Sequence, residues 1–199
     1  MNLKEIISGL PIKKYNAALD DIEVHDIKTV HSEVEKGDVF IALKGTNFDG
    51  NDFLQQAFER GAVAAISDKD IDDERVIVAN SSRQAYALAS KNFFGRACDE
   101  MKLIAITGTN GKTTITGTTA EMLRFAGAKV GTIGTLGAVV DSESIDTGMT
   151  TPDPYALHAI FKKMKDRGCE FVVMEASAHA LALEKLDGVK FEIGLITNI

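Results

Sequence analysis

The sequence has few cysteines and no excess of basic charge. Cys98 and Cys169 are its only cysteines, and their spacing fits neither a disulfide framework nor a zinc site. We expect both to be small, buried hydrophobic side chains. The 22 basic residues are outnumbered by 29 acidic ones. Nucleic-acid-binding proteins usually carry a basic patch, so this charge balance disfavours that class.

Long apolar runs are also missing. The longest, such as residues 62–66, are far too short to cross a bilayer. Residues 1–7 lack the apolar stretch of a signal peptide. What is present is an ordinary globular balance of 45% hydrophobic and 26% charged residues. We therefore expect a cytoplasmic, monomeric protein with neither a membrane nor a nucleic-acid partner.

The order of apolar runs and helical patterns predicts the fold class. In the first half, strands are predicted at 39–43, 62–66 and 76–78, and helices over 52–60 and 81–94. In the second half, buried strands are predicted at 103–106, 130–133, 171–174 and 193–196, and helices over 112–126 and from Pro154 onward. Strands that alternate with helices are typical of α/β proteins with a mainly parallel sheet.

A polar, charged stretch at 96–102 interrupts this alternation. We interpret it as the junction between two domains, residues 1–100 and 101–199. The chain ends at Ile199 directly after an apolar strand, so we expect the second sheet to continue past this residue.

The most specific motif is a glycine-rich run between a predicted strand and a predicted helix. It reads Thr107-Gly108-Thr109-Asn110-Gly111-Lys112-Thr113-Thr114. Its glycines allow the backbone to curl until successive N–H groups face one anion, and the following helix adds its positive dipole end. In this hypothesis Lys112 reaches the β- and γ-phosphates of a nucleotide, and the Thr113 hydroxyl binds Mg²⁺.

The run is a variant of the general phosphate-loop pattern. G-x-x-x-x-G-K-[ST] requires glycine at position 106, where this chain has Ile106. The alternative is a glycine-rich turn followed by a chance Lys-Thr pair. The strand before it, the helix after it and the G-K-T core favour phosphate binding.

Phosphoryl transfer also needs a metal ligand outside the loop, typically an acidic residue at the carboxyl end of a neighbouring strand. Glu175 directly follows the strand predicted at 171–174, and we expect it to bind the metal. The alternative is a solvent-facing glutamate at a strand end.

Other polar residues have two interpretations. His179 could orient a substrate carboxylate or pack in the wall of the site. Thr150-Thr151-Pro152 could supply hydroxyl donors to an anionic substrate or form only a turn and helix cap. The remaining histidines are interpreted as surface or packing residues; they are His25, His31 and His158.

Together these segments resemble the Mur ligases, the ATP-dependent amino-acid-adding enzymes of peptidoglycan synthesis. The resemblance lies in residues 107–114, in Thr150-Thr151-Pro152, in Met174-Glu175-Ala176-Ser177-Ala178-His179-Ala180-Leu181, and in the first-domain segments 37–45 and 49–50. It covers essentially the whole chain, with the motifs in family order. Within the family it points to the MurE branch, which adds the third residue of the stem peptide.

The resemblance implies a UDP-sugar-binding N-terminal domain and the first half of a central ATP-binding domain, without the C-terminal ligase domain. It implies ATP and Mg²⁺ as cofactors, and UDP-MurNAc-dipeptide and an amino acid, diaminopimelate or lysine, as partners. The resemblance implies that Lys112 and Glu175 are catalytic. It also implies that Thr113 and Glu175 bind the metal and that residues 108–114 bind ATP. Ser32, Thr46 and Asn47 would contact the UDP-sugar, and Thr150, Thr151, Ser177 and Lys185 the muramoyl-peptide portion.

The sequence departs from the family pattern around the substrate. Glu33 stands where an arginine is expected, Ala178 where a second serine is usual, and Leu183 where a polar residue is frequent. Lys185 replaces a frequent arginine, which keeps the charge but loses the bidentate geometry. These differences affect the implied substrate contacts more than the implied ATP contacts.

The implied reaction activates the D-glutamate carboxylate of the substrate as an acyl phosphate at the expense of ATP. An amine then attacks, which forms the amide and releases phosphate. Because the family's amino-acid pocket would lie past Ile199, we expect these residues alone not to ligate. The alternatives are a ligase like folylpolyglutamate synthase, which shares a similar loop, and a module that binds a UDP-sugar without catalysis.

Overall fold

The chain folds into two α/β units, each built on its own sheet. The structure, a computed structural model, describes residues 1–141 and 143–199. The units comprise Met1–Phe93 and Phe94–Ile199. Among the described residues, none of the helices is both long and apolar enough to cross a membrane.

The first unit contains a five-stranded sheet with the strand order β1-β5-β4-β3-β2. Its elements are α1 (Leu3–Ile6), β1 (Ile12–Lys14), β2 (Ile27–Lys28), β3 (Val39–Ile41), α2 (Leu54–Arg60), β4 (Ala64–Ser67), β5 (Val76–Ala79) and α3 (Ser82–Phe93), with 3-10 turns at Ala17–Leu19, His31–Glu33 and Gly50–Phe53. Strands β2 to β5 are parallel, and β1 joins β5 antiparallel. Phe40, Phe58 and Val76 belong to a core on one face of this sheet.

The second unit contains a six-stranded sheet with the strand order β11-β6-β10-β7-β8-β9. Its elements are a 3-10 turn at Ala97–Glu100, β6 (Lys102–Thr107), α4 (Lys112–Phe125), β7 (Val130–Gly134), β8 (Gly137–Val140), β9 (Glu143–Ile145), α5 (Pro154–Asp166), β10 (Phe171–Glu175), α6 (Ala178–Ala182) and β11 (Ile193–Ile196). β11, β6, β10 and β7 are parallel, whereas β8 and β9 extend the sheet antiparallel.

The central strands of this sheet are buried on both faces. Successive side chains of a strand point to opposite faces. Val172 of β10 accordingly packs in the core with Leu157 and Phe161 of α5, while Val173 packs in the core with Ala120 of α4. Helices therefore cover both faces, and the carboxyl ends of the parallel strands meet at one edge.

The expected α/β fold with mainly parallel sheets is confirmed. The expectation that residues 193–196 form a buried strand is wrong in part: they form β11, but Ile193 is 54% and Ile196 64% exposed. Among the described residues β11 pairs with β6 alone, so its other edge has no neighbouring strand there. The helix expected over 52–60 starts as the 3-10 turn Gly50–Phe53, because the Asp49 side chain accepts the N–H of Asn51.

Candidate functional site

The glycine-rich run forms a tight loop between β6 and α4. Gly108 has φ +131° and Gly111 φ +83°, backbone conformations that residues with a Cβ rarely adopt. The neighbouring strands end at the same level, since Glu175 of β10 pairs with Ile106 and Ile196 of β11 pairs with Thr107. The loop thus lies at the carboxyl ends of parallel strands, the usual ligand-binding edge of such sheets.

The start of α4 carries backbone N–H groups that have no acceptor in the part of the chain that the structure describes. The first helical hydrogen bond of α4 runs from the Ile115 N–H to Gly111 O at 3.0 Å. Among the described residues, the N–H groups of positions 111–114 have no acceptor, as expected at a helix start. A Cβ at Gly111 would meet no described atom within 4 Å. These open donors, with the positive end of α4, fit an anionic phosphate.

A pocket of about 520 Å³ opens beside the loop. It is lined by Thr107, Gly108, Thr109, Lys112, Ser177, Ala178, Ile196, Asn198 and Ile199. Residues from the ends of β6, β10 and β11 therefore share one cavity with the lysine of the motif.

Lys112 contacts the loop's own carbonyl groups. Its Nζ donates to Gly108 O at 2.7 Å and to Thr109 O at 3.2 Å. The ammonium group is thus held over the loop, at the mouth of the pocket. To reach the phosphates of a nucleotide it exchanges these carbonyl oxygens for phosphate oxygens, which bear more charge and bind a cation more strongly.

Glu175 is buried at the end of β10, with 1% of its surface exposed. Its Oε1 accepts the backbone N–H of Thr135 at 3.1 Å, and its Oε2 accepts the Thr135 hydroxyl at 3.0 Å. The absence of a side chain at Gly134 makes room for it, since a Cβ there would lie 2.3 Å from Oε1. The alternative of a solvent-facing glutamate is therefore wrong.

Hard carboxylate and hydroxyl oxygens are the donor types that Mg²⁺ prefers. In the sequence-based hypothesis, Glu175 would supply the carboxylate and Thr113 the hydroxyl. Within residues 1–141 and 143–199, His, Cys, Asp and Glu side chains do not gather into a metal-binding group of three or more. A metal here would therefore take its other ligands from phosphate and water, which is common for Mg²⁺.

A network of hydroxyl groups joins Glu175 to the start of α6. The Thr151 hydroxyl donates to Glu175 O at 2.9 Å and accepts the Ser177 N–H at 3.1 Å. The Ser177 hydroxyl caps α6 by accepting the Ala180 N–H, and the Thr150 hydroxyl lies 3.0 Å from that of Thr135. The structure thus brings Thr150, Thr151 and Ser177 together.

Lys185 is nearly buried and its charge is already paired. Its Nζ lies 2.7 Å from Asp153 Oδ1, at the N-cap of α5, and 3.6 Å from Met149 Sδ. A substrate carboxylate would therefore compete with Asp153 for this cation.

The remaining histidines and cysteines of the second unit are mostly structural. His158 is buried and meets the Phe161 ring edge-on at a centroid distance of 5.6 Å. Burial raises the pKa of the Cys169 thiol, and Cys98 is buried as well, as expected for both. His179 is exposed in the first turn of α6.

The first unit has its own pocket, also of about 520 Å³. Thr46 and Asn47 line it, together with His31, Phe53 and Arg83. The His31 ring stacks on Phe53 at 4.3 Å with an angle of 1° between the planes, which agrees with the packing interpretation of this histidine. Ser32 is exposed in the same 3-10 turn as His31.

Arg83 lines this pocket together with a second cationic residue, Lys44. Arg83 Nη2 donates to Lys44 O at 2.6 Å, which ties α3 to the turn that contains Thr46 and Asn47. Aromatic rings and a guanidinium group in one cavity suit a ligand with a planar ring and an anionic group.

Asp49 anchors the other end of that turn. The Lys69 ammonium, 2.8 Å away, together with the N–H and side-chain amide of Asn51, lowers the pKa of the Asp49 carboxyl to about 2. The backbone of Gly50 lies so close to that of Leu43 that no side chain fits between them, because a Cβ at Gly50 would lie 2.7 Å from Leu43 N.

Comparison with known proteins identifies the family. Residues 106–199 match the Mur ligase middle domain, and residues 23–93 match the Mur ligase family catalytic domain. The chain belongs to the Mur ligase family. This Mur ligase chain is 37% identical over 202 residues to the UDP-N-acetylmuramoyl-L-alanyl-D-glutamate–2,6-diaminopimelate ligase of Clostridium perfringens and 36% identical over 205 residues to that of Clostridium tetani. Each alignment covers 100% of the chain and 42% of the relative.

Solved structures agree with this assignment. A UDP-N-acetylmuramoyl-L-alanyl-D-glutamate–2,6-diaminopimelate ligase superimposes with a TM-score of 0.82 at 26% identity, over 100% of this Mur ligase chain and 40% of that chain. The MurF ligase of Thermotoga maritima, solved in complex with ADP, gives a TM-score of 0.51 at 26% identity, over 79% and 33% of the two chains. The chain is thus a MurE homologue and spans about two fifths of the length of these relatives.

Sequence reasoning missed several residues of this Mur ligase site. Thr135 and Asn198 follow β7 and β11, at the same edge as Glu175, so a polar residue directly after a parallel strand was the signal available. Arg83 lies in the first turn of α3 and reaches the pocket only through tertiary structure. Its position in the sequence contains no such signal.

Proposed function

We propose that this chain is the substrate- and nucleotide-binding part of an ATP-dependent ligase of peptidoglycan precursor synthesis, which adds the third stem-peptide residue to UDP-MurNAc-L-Ala-D-Glu. The observation that carries the proposal is the loop at 107–114, whose N–H groups at 111–114 have no acceptor among the described residues and whose Lys112 lines a pocket. The matched relatives, named for this reaction, support it over the whole chain. Since the chain spans 42% of their length, the activity is proposed for the complete protein.

In this proposal the loop of the second unit holds ATP. The N–H groups of residues 111–114 donate to phosphate oxygens, and Thr109 and Asn110 shape the loop. When bound, ATP supplies the phosphoryl group that converts the D-glutamate carboxylate into an acyl phosphate. Lys112 leaves the carbonyls of Gly108 and Thr109 and neutralises the phosphate charge that develops during transfer.

Thr113 and Glu175 are the proposed protein ligands of Mg²⁺. Thr135 holds both carboxylate oxygens of Glu175, so the carboxylate has one orientation before a metal arrives. Such pre-orientation of a ligand is what neighbouring hydrogen bonds contribute at metal sites.

The hydroxyl network is the proposed site of the muramoyl-peptide portion. Thr151 is committed to Glu175 and Ser177, so Thr150 and the Ser177 hydroxyl are the groups that a substrate can use. Lys185 would attract the substrate carboxylate only in competition with Asp153.

The first unit is the proposed UDP-sugar-binding domain. Its pocket would take the UDP end between the turn at Thr46 and Asn47 and the stacked rings of His31 and Phe53. Arg83 would supply the cation that this chain lacks at Glu33, with Ser32 at the rim. The relatives' names make 2,6-diaminopimelate the first amino acid to test, with lysine as the comparison.

A binding experiment separates this function from its rivals. The complete protein is titrated by calorimetry with UDP-MurNAc-L-Ala-D-Glu, with a folate and with ATP. Binding of the muramoyl compound and of ATP is expected, without a response to folate. Folate binding would favour a folylpolyglutamate-synthase-like enzyme, and binding of the muramoyl compound without ATP would favour a non-catalytic module.

A further inference from the structure

The glycine-rich loop is hydrogen-bonded to Asn198, the second residue after β11. Asn198 lies 89 residues from Thr109 along the chain, yet its Oδ1 accepts the Thr109 N–H at 3.1 Å. The same oxygen accepts the Asn110 N–H at 3.0 Å, and Asn198 Nδ2 donates to Asn110 O at 3.2 Å. One side-chain amide therefore contacts the loop through both its acceptor and its donor.

Thr197 adds two further hydrogen bonds between the loop and the end of β11. The absence of a side chain at Gly108 leaves room for this contact. The Thr197 hydroxyl donates to Asn110 O at 2.6 Å, and its N–H donates to Thr107 O at 2.9 Å. The loop and the end of β11 are so close that a Cβ at Gly108 would lie 2.2 Å from Thr197 Oγ1. The conformation of the loop therefore depends on a strand that is remote in the sequence.

The attachment uses some donors of the loop and leaves others open. The N–H groups of Thr109 and Asn110 point to Asn198, whereas those of residues 111–114 have no acceptor among the described residues. A neutral amide suits this position because it accepts two N–H bonds and also donates to a carbonyl. A carboxylate would accept the same bonds but could not donate, and it would place a negative charge beside the phosphates.

We propose that Asn198 is a positioning residue for nucleotide binding: it fixes residues 108–110 so that the open donors of residues 111–114 and Lys112 converge on the phosphates. The effect of Asn198 on ATP affinity rests on the proposed function, whereas its effect on the conformation of the loop does not. The opposite role would be that of a competitor, whose amide oxygen must be displaced before ATP binds. The two roles predict opposite changes in affinity when the side chain is removed.

The test uses Asn198→Ala, Asn198→Asp and, as a conservative control, Thr197→Ser in the complete protein. Hydrogen exchange of the peptide that spans residues 107–111 reports on the loop, and calorimetry with ATP reports on affinity. In Asn198→Ala we expect faster exchange at Asn110, whose N–H loses its acceptor, whereas the Thr109 N–H keeps the backbone carbonyl of Asn198 at 3.4 Å. We expect the ATP Kd to rise about tenfold, which corresponds to about 1.4 kcal/mol.

The two other variants distinguish the effect of the loop's conformation on ATP binding from the effect of a negative charge beside the phosphates. Asn198→Asp should keep the slow exchange, because a carboxylate still accepts both N–H groups, but should bind ATP more weakly than Asn198→Ala. Thr197→Ser keeps the hydroxyl and should resemble the wild type in both measurements. Binding of UDP-MurNAc-L-Ala-D-Glu should be unchanged in all three variants.

Tighter ATP binding by Asn198→Ala would overturn the proposal in favour of the competitor role. Unchanged exchange in that variant would also overturn it, because the loop would then keep its conformation without the amide. A wild-type protein that does not bind ATP would contradict the proposed function instead, and the exchange rates would still decide whether Asn198 shapes the loop.

Discussion

Thr135 holds both carboxylate oxygens of Glu175, one with its backbone N–H at 3.1 Å and the other with its hydroxyl at 3.0 Å. Thr135 directly follows β7, and Glu175 is the last residue of the neighbouring strand β10. A single residue thus sets the orientation of a buried carboxylate that we propose as a metal ligand.

Replacing the Thr135 hydroxyl should weaken both the fold and the proposed metal site. Thr135→Val leaves Glu175 Oε2 without this donor, and a buried acceptor deprived of its partner costs about 1–3 kcal/mol in the free energy of unfolding. Thr135→Ser keeps the hydroxyl and serves as the control. Urea unfolding and the Mg²⁺ dependence of turnover are measured; equal Mg²⁺ requirements in the two variants would contradict the orienting role.

Gly108→Ala should destabilise the protein through its backbone. The residue has φ +131°, and an added Cβ would lie 2.2 Å from Thr197 Oγ1 and 2.8 Å from Asn198 O. Backbone strain of this type costs about 1–3 kcal/mol, before the steric overlap is counted. The matched control is Gly117→Ala in α4, where a Cβ meets no described atom within 4 Å; it should stabilise the helix by about 1 kcal/mol. Similar urea midpoints for the two variants would refute this account of Gly108.

Lys112→Ala should abolish turnover while leaving UDP-substrate binding intact. A cation that stabilises a transferring phosphoryl group contributes about 10³-fold or more to the rate. The control is Lys190→Ala, which removes an exposed lysine outside the pocket. Turnover is followed by phosphate release. A Lys112→Ala protein that works at a rate near that of the Lys190→Ala protein would exclude the role given to Lys112.

Arg83→Ala should weaken binding of UDP-MurNAc-L-Ala-D-Glu and leave ATP binding unchanged. A hydrogen bond to a charged group contributes about 1.5–3 kcal/mol, so a loss of at least about tenfold in affinity is expected. Arg83→Lys keeps the charge and should recover part of it. Affinities are measured by calorimetry. If Arg83→Ala binds the compound as tightly as the wild type, the UDP end does not bind beside Arg83.

The stability of the first unit should depend on pH through Asp49. Its carboxyl has a pKa of about 2 in the folded state against 3.8 as the ordinary value, first because of Lys69 and then because of Asn51. A lowered folded-state pKa stabilises the fold above the unfolded-state pKa, and this contribution is lost as the pH falls through the folded-state value. The difference in unfolding free energy between wild type and Asp49→Asn should therefore be constant above about pH 5 and shrink between pH 4 and 2. A difference that stays constant down to pH 2 would contradict the assignment.

The sequence predicted the parts of the candidate site whose residues are close together along the chain. The loop followed from glycine and lysine spacing between a strand and a helix, and Glu175 followed from its place after an apolar run. Thr135 and Asn198 were missed although each is a polar residue shortly after a parallel strand. Arg83 could not be predicted, because it reaches its pocket only through helix packing.

The attachment of the loop to β11 has a consequence for the order of folding. The contacts that shape the loop join residues 88 and 89 positions apart, and such distant contacts form slowly because closing a long loop of chain costs entropy. A peptide containing only β6, the loop and α4 would have the motif but would lack the hydrogen bonds from Thr197 and Asn198 that shape the loop. The observed conformation of the loop should therefore form only after β11 has paired with β6.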